Sequence, residues 1–311
     1  MAEVGDDNKV TYKRDVIDVQ QQVAKAQIIA LYIHGIIGDT ESLISSINQT
    51  VLQPDGQKLS ISKLYDVVLT FDYENLNTSI KENAENLKRR LIEVGLGANH
   101  GKELHLIAHS MGGLVSRWFI EQEGGNKVVQ HLIMLGTPNA GSPWPVVEDW
   151  VKLTLGIGLN GLSTVAWPVT VLTGLIGIFE KNIRVALAEL NSNSDFLKSL
   201  AASEDPDIPY SIIAGNTSII PAALEQQLEK KSSVLERLQR SLFNKVVNLP
   251  FFGIPNDIAV TVDSIENIPK GRSLAPFVQQ VACDHLSYFS IELTEVGLDA
   301  LITAIIAQQK K

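Results

Sequence analysis

The order of hydrophobic runs predicts an α/β domain: a mostly parallel central sheet, helices on both of its faces and an inserted apolar helical cap. Three observations lead there. Apolar runs of strand length alternate with helical stretches, which argues for right-handed crossovers between parallel strands. The runs are apolar throughout and not at every second residue, as expected of strands buried on both faces. The alternation also lapses twice, over segments long enough to be insertions. A length of 311 residues accommodates one large sheet with a cap and needs no second core.

In chain order, residues 1–26 open with the polar "MAEVGDDNKVTYKRD" and read as an N-terminal arm or an extension of the domain that follows over 27–311. The first strand is "QIIALYI", residues 27–33, stopping at His34-Gly35. The second, residues 65–71, precedes a helix whose Ile80, Ala84, Leu87, Leu91 and Val94 form one stripe. Asn77 or Thr78 can cap that helix and Gly95 can end it. Residues 103–108 give a third strand, 112–123 a helix, and 130–138 a fourth strand closed by Thr137-Pro138. A cap insertion then occupies about 139–207, and a fifth strand follows at 210–216. A second insertion occupies about 217–252 and contains a charged amphipathic stretch over 225–240, read as a solvated helix. Residues 277–283 form the last strand and 292–309 a C-terminal helix.

Composition limits the partners. The formal charge of −9, from 26 basic against 35 acidic residues, argues against nucleic acid. The lone Cys283 allows no internal disulfide, the start has no secretory h-region, and a cytoplasmic setting follows as the expectation. Scattered histidines and a single cysteine suggest no metal cluster, and no cofactor is expected. Residues 153–179 carry no charge over 27 positions, a membrane-spanning length. Five glycines, Pro168 and the polar Asn160, Ser163 and Thr164 interrupt them, which favours two short apolar helices. A buried hairpin closing the site, a lid that opens onto lipid and a true span are the three readings of this stretch.

Chemistry concentrates at "LIAHSMGG", where an apolar strand ends on Ser110 with small residues two places either side. A serine hydroxyl needs exposure, an adjacent base and donors for a developing oxyanion, and a sharp strand-to-helix turn supplies the exposure and one donor. Crowding between strand and helix explains Ala108 and Gly112. The alternative is a serine that merely caps the following helix.

The stretch resembles the nucleophile elbow of α/β-hydrolases in its lipase form, with Ala108 where most members carry glycine and with His109 packed inside the elbow. The resemblance extends to His34-Gly35-Ile36-Ile37-Gly38, similar to the lipase oxyanion turn. It implies an oxyanion hole made by the N–H groups of Ile36 and Met111, with His34 orienting backbone and standing third among candidate bases. "LGTPNAGS" resembles the Gly-Thr-Pro-x-x-Gly-Ser stretch from which lipase caps spring. The family's order of serine, acid and histidine points to Asp257, in a pattern like Asn-Asp-Gly-x-Val with Ile258 in the glycine's place. It points likewise to His285, in a loop like His-Leu-Ser. Asp263 and Asp284 are the rival acids.

By this likeness the chain is similar to intracellular bacterial-type serine hydrolases of the lipase and GPI-inositol-deacylase-like group, including domains attached to larger signalling proteins. The resemblance implies a serine carboxylester hydrolase acting on an acyl ester or lipid, with peripheral membrane contact through the cap. A non-catalytic lipid- or partner-binding module of the same fold, and an amidase or peptidase, are the alternatives.

Overall fold

The computed structural model describes residues 1–5, 7, 9–36, 39–53, 56–74, 78–142, 188–219, 254–289 and 296–309. An antiparallel hairpin, β1 (Ala2–Val4) and β2 (Val10–Tyr12), leads into α1 (Val16–Lys25), whose N-cap Asp15 accepts from the N–H groups of Ile17 and Asp18. This N-terminal segment packs on the domain: Ala2, Val19 and Val23 are buried.

The chain then enters the sheet at β3 (Ile28–Ile33) and adds α2 (Glu41–Ile44) and a short antiparallel pair, β4 (Val51–Leu52) and β5 (Lys58–Leu59). It returns through β6 (Val67–Phe71), α3 (Ile80–Glu93), β7 (Glu103–His109), α4 (Met111–Gln122) and β8 (His131–Leu135). Then come α5 (Asp195–Ala201), within the stretch expected as the cap insertion, β9 (Tyr210–Gly215), α6 (Val262–Glu266), β10 (Phe277–Val281) and α7 (Val296–Gln309). The six-stranded sheet has the spatial order β10-β9-β8-β7-β3-β6, and every neighbouring pair is parallel.

Side chains alternate across the sheet as the pleat requires. On β3, Ile29, Leu31 and Ile33 join a core with residues of α1, α3, α4, α5 and α6, while Ala30 and Tyr32 join a second core with residues of α2 and α7. Helices therefore cover both faces, which is why inner strands such as β3 and β8 are buried along nearly their whole length. The expected cap of α3 is corrected by the structure. Ser79 caps it, accepting from Glu82 N–H at 3.1 Å, while the Thr78 hydroxyl bonds Glu74 and Asn77 lies outside the described residues. Ser79 with Glu82 forms the S-x-x-E pattern of a helix start. Gly95 ends α3 at φ 88°.

The sheet order locates the site. The chain steps outward from β3 to β6 and then back across to β7, so β3 and β7 are neighbours whose crossovers leave in opposite directions. Open α/β sheets bind ligands at such a switch point, beyond the carboxyl ends of the strands.

The whole of the apolar 153–179 stretch, and most of both expected insertions, lie outside the described residues. Among the described residues no helix is long and apolar enough to cross a membrane.

Candidate active site at the switch point

Ser110 sits where β7 becomes α4, at φ 52° and ψ −127°. A non-glycine residue pays for positive φ with strain, and such residues persist where the surroundings over-determine them. Its N–H donates to Leu135 O on β8 at 2.9 Å and its carbonyl accepts from Gly113 N–H at 3.0 Å. The hydroxyl makes no capping hydrogen bond to α4, so the helix-cap explanation of this serine does not hold.

The small residues around it have separate causes. A Cβ on Gly112 would meet the carbonyl oxygens of His34 and Ile33, the latter at 2.7 Å, so the crowding comes from the end of β3. A Cβ on Gly35 would lie 2.8 Å from Ser110 Cβ. A Cβ on Gly113 would overlap the Thr137 side chain of the Gly-Thr-Pro loop. Ala108 is fully buried in β7, which accommodates its methyl group.

The turn after β3 is held by the segment after β6. The His34 Nδ1–H donates to Gly35 O at 2.7 Å, and its Nε2 accepts from Tyr73 N–H at 3.2 Å. The Tyr73 hydroxyl donates to His34 O at 2.8 Å while the two rings stack at 4.3 Å. Asp72 receives both the N–H and the hydroxyl of Thr40, at 2.8 and 3.0 Å. Burial lowers the proton affinity of His34, and both ring nitrogens are engaged with backbone, an arrangement suited to holding the turn. Ile36 is buried beside it, and Ile37 and Gly38 lie outside the described residues. Met111 is the first residue of α4, so its N–H belongs to the helix's donors without intrahelical partners.

Asp257 and His285 meet although 28 residues separate them. Asp257 Oδ2 lies 2.6 Å from His285 Nδ1, and the His285 N–H donates to Asp257 O at 2.8 Å, so side chains and backbones are both paired. Asp257 Oδ1 accepts from Ala259 and Val260 N–H at 3.1 and 2.8 Å. Ile258 stands at φ 85° in the position where the resemblance has glycine, and its N–H is held by Asn256 Oδ1 at 2.8 Å. Of the rival acids, Asp263 lies in the first turn of α6, and Asp284 Oδ1 accepts from Leu286 N–H and the Ser287 hydroxyl.

His109 joins the elbow to the base loop: its Nε2–H donates to His285 O at 2.8 Å, and the two rings are 4.8 Å apart. Burial, reinforced by His285, pushes His109 down to about 3, so it is neutral at neutral pH. Two residues that the sequence did not single out complete the neighbourhood: Tyr73 and Tyr288, whose hydroxyl lies 2.9 Å from Asp257 Oδ2. Tyr288 follows the marked His285 by three residues, whereas no marked residue stands beside Tyr73, and an aromatic in a loop carries no spacing rule. Among the described residues no group of three or more His, Cys, Asp or Glu could hold a metal ion.

A family model described as a domain of unknown function (DUF7379) matches residues 3–301. No curated protein sequence matches the chain. Among solved structures, the mature lipase BlEst2 of Bacillus licheniformis superposes with a TM-score of 0.52 at 19% identity, over 90% of this chain and 93% of that one. Phospholipase PlaB from Legionella pneumophila superposes with a TM-score of 0.52 at 15% identity, over 91% of this chain and 63% of that one. At such identities the likeness establishes the fold, which is that of the α/β-hydrolases.

Proposed function

We propose that this chain, which belongs to the DUF7379 family, is a serine carboxylester hydrolase that cleaves an acyl ester, with Ser110, His285 and Asp257 as its triad. The observation that carries the reading is the buried Asp257–His285 pair at 2.6 Å, tied through His109 to the elbow on which Ser110 stands. In this mechanism His285 takes the hydroxyl proton as Ser110 Oγ attacks the ester carbonyl, and Asp257 holds the imidazole tautomer and stabilises the imidazolium. The N–H groups of Ile36 and Met111 receive the oxyanion, each such donor being worth roughly 3–4 kcal/mol. The alcohol leaves with the proton from His285, and water releases the acyl group by the same steps in reverse.

A lipid-like substrate is the finer reading. It is supported by the uncharged 153–179 stretch, which the sequence pattern assigns to a cap insertion, and by neighbours named as a lipase and a phospholipase. In this reading the cap meets lipid peripherally, and the domain serves alone or beside a larger signalling protein.

The test is hydrolysis of p-nitrophenyl esters over a chain-length series by the native protein and by Ser110→Ala, with and without detergent micelles. Turnover that disappears in the variant and rises with chain length is expected. Activity confined to short esters would remove the lipid substrate, and no Ser110-dependent turnover would favour a binding module of the same fold.

A further inference from the structure

We infer that Tyr288 is a positioning residue whose phenol fixes the charge and orientation of the Asp257 carboxylate holding His285. The inference rests on the hydrolase reading above and extends it to a residue outside the triad. Tyr288 is fully buried, and its oxygen lies 2.9 Å from Asp257 Oδ2, the same oxygen that His285 Nδ1 reaches at 2.6 Å.

The direction of this hydrogen bond is set from the other side. Gly215 N–H, at the end of β9, donates to the phenol oxygen at 2.7 Å. An N–H cannot accept, so the phenol's one proton is directed to the carboxylate. Oδ1 of Asp257 is already held by two backbone N–H groups, so Oδ2 is shared between imidazole and phenol. Burial, with Asp257 adding to it, pushes the phenol well above its ordinary value, so it stays a donor across the working range.

Glycines keep the place for the ring. A Cβ on Gly136 would lie 2.7 Å from its Cε2, and one on Gly215 would lie 2.7 Å from its hydroxyl. Gly136 also stands at φ 62°. A donor on Oδ2 draws negative charge away from the imidazole and stops the carboxylate rotating, so the pair is held in one geometry. Among the described residues, titratable groups near the pair include His109 from the elbow, Cys283, which feels the Asp257 charge, and Asp284, the residue before His285 in the chain. His109 is neutral, and burial pushes the Cys283 thiol well up.

The experiment compares the native protein with Tyr288→Phe and with protein carrying 3-fluorotyrosine at 288, an isosteric and stronger donor. One readout is the pH dependence of kcat and KM on a p-nitrophenyl ester. The other is the far-downfield proton resonance of the His285 Nδ1–H, which needs no turnover. Tyr288→Phe is expected to lower kcat about tenfold, to leave KM within about twofold, and to move the acid limb of kcat/KM up by about half to one pH unit. The upward shift follows because a carboxylate with one donor fewer holds a protonated imidazole more tightly. Fluorotyrosine is expected to move the limb down, and the resonance is expected to change in both forms. A limb and a resonance that ignore both substitutions would overturn the inference and leave Tyr288 as packing. If the native protein shows no Ser110-dependent turnover, the hydrolase reading fails separately, and the resonance alone then decides: a change in Tyr288→Phe supports the positioning role and an unchanged signal overturns it.

Discussion

Gly113 illustrates what single residues dictate at this site. The sequence marks Gly112 as the small residue after the serine, but Gly113 answers a different neighbour, the Thr137 side chain from the loop after β8. We expect Gly113→Ala to destabilise the protein by about 3 kcal/mol, as overpacking without room to relax does. Adding Thr137→Ala should recover part of that loss, and a double-mutant cycle by urea unfolding measures the coupling. Additive losses would mean the two residues are independent. Ser110, Asp257 and His285 could be named as candidates from the sequence because their residue types and chain order resemble a family pattern, and Ile258 stood out because the resemblance has glycine there. The cause of its oddness became visible only as a positive φ, which costs an L-residue about 1–2 kcal/mol. Tyr73 and Tyr288 were not legible: each acts through a partner far away in sequence, and nothing local announces it.

At the scale of elements, α4 does two jobs, presenting Ser110 at its start and anchoring the opposite end of the fold near its finish. Arg117 and Glu121, one helical turn apart, are an ion pair whose side chains are both buried. Glu121 accepts from Arg117 Nε at 2.9 Å, from Arg272 Nη2 at 3.0 Å and from the Tyr210 hydroxyl at 2.9 Å, while Arg272 lies over the Tyr210 ring. Arg117 also reaches Asn139 and the carbonyl of Leu200. Burial alone would raise the Glu121 carboxyl, but Arg117 and then Arg272 outweigh it and hold the group below its ordinary value. We expect Glu121→Gln to cost about 3–5 kcal/mol near neutral pH, because it leaves two buried guanidinium groups short of their counter-charge. The sign of the pH dependence follows from the lowered value. The stabilisation is complete above the ordinary Glu value of about 4.3 and is lost as pH falls through the depressed one, so the gap between native and variant should narrow in acid. Urea unfolding at several pH values checks both, and a constant gap would show that the carboxylate's charge is not what stabilises. Five of the six sheet strands were legible as largely apolar runs, β10 carries Gln279 and Gln280 and alternates in exposure, and β1 and β2, three residues each, are too short to show a period. In α1 only Val19 and Val23 are buried, too few to mark a helical stripe against its polar neighbours.

The whole molecule carries a formal charge of −9, which shapes how it would meet a lipid surface. An acidic protein is repelled by anionic headgroups over about a Debye length, so any lipid contact must come from apolar burial. Ester turnover on vesicles is therefore expected to be faster with zwitterionic than with anionic lipid, and added salt should close the gap. Turnover that is fastest on anionic vesicles would point instead to a local basic patch. At this scale the sheet itself was the most legible feature, because its apolar runs depend on burial on both faces; the insertions are expected only from lapses in the pattern and lie mostly outside the described residues. One property of the sheet order bears on how the site tolerates change. Ser110 follows β7 and His285 follows β10, three strands away, a separation of about 14 Å at the usual strand spacing. Yet the rings of His109 and His285 are 4.8 Å apart. The segment after β10 is thus a cantilever that carries the base back over two intervening strands, and its reach is set by a count of residues. One residue more or less between Val281 and His285 would move the tip by about 3.3 Å, a whole hydrogen-bond length, so the length of that arm is fixed by the need to keep His285 on Asp257.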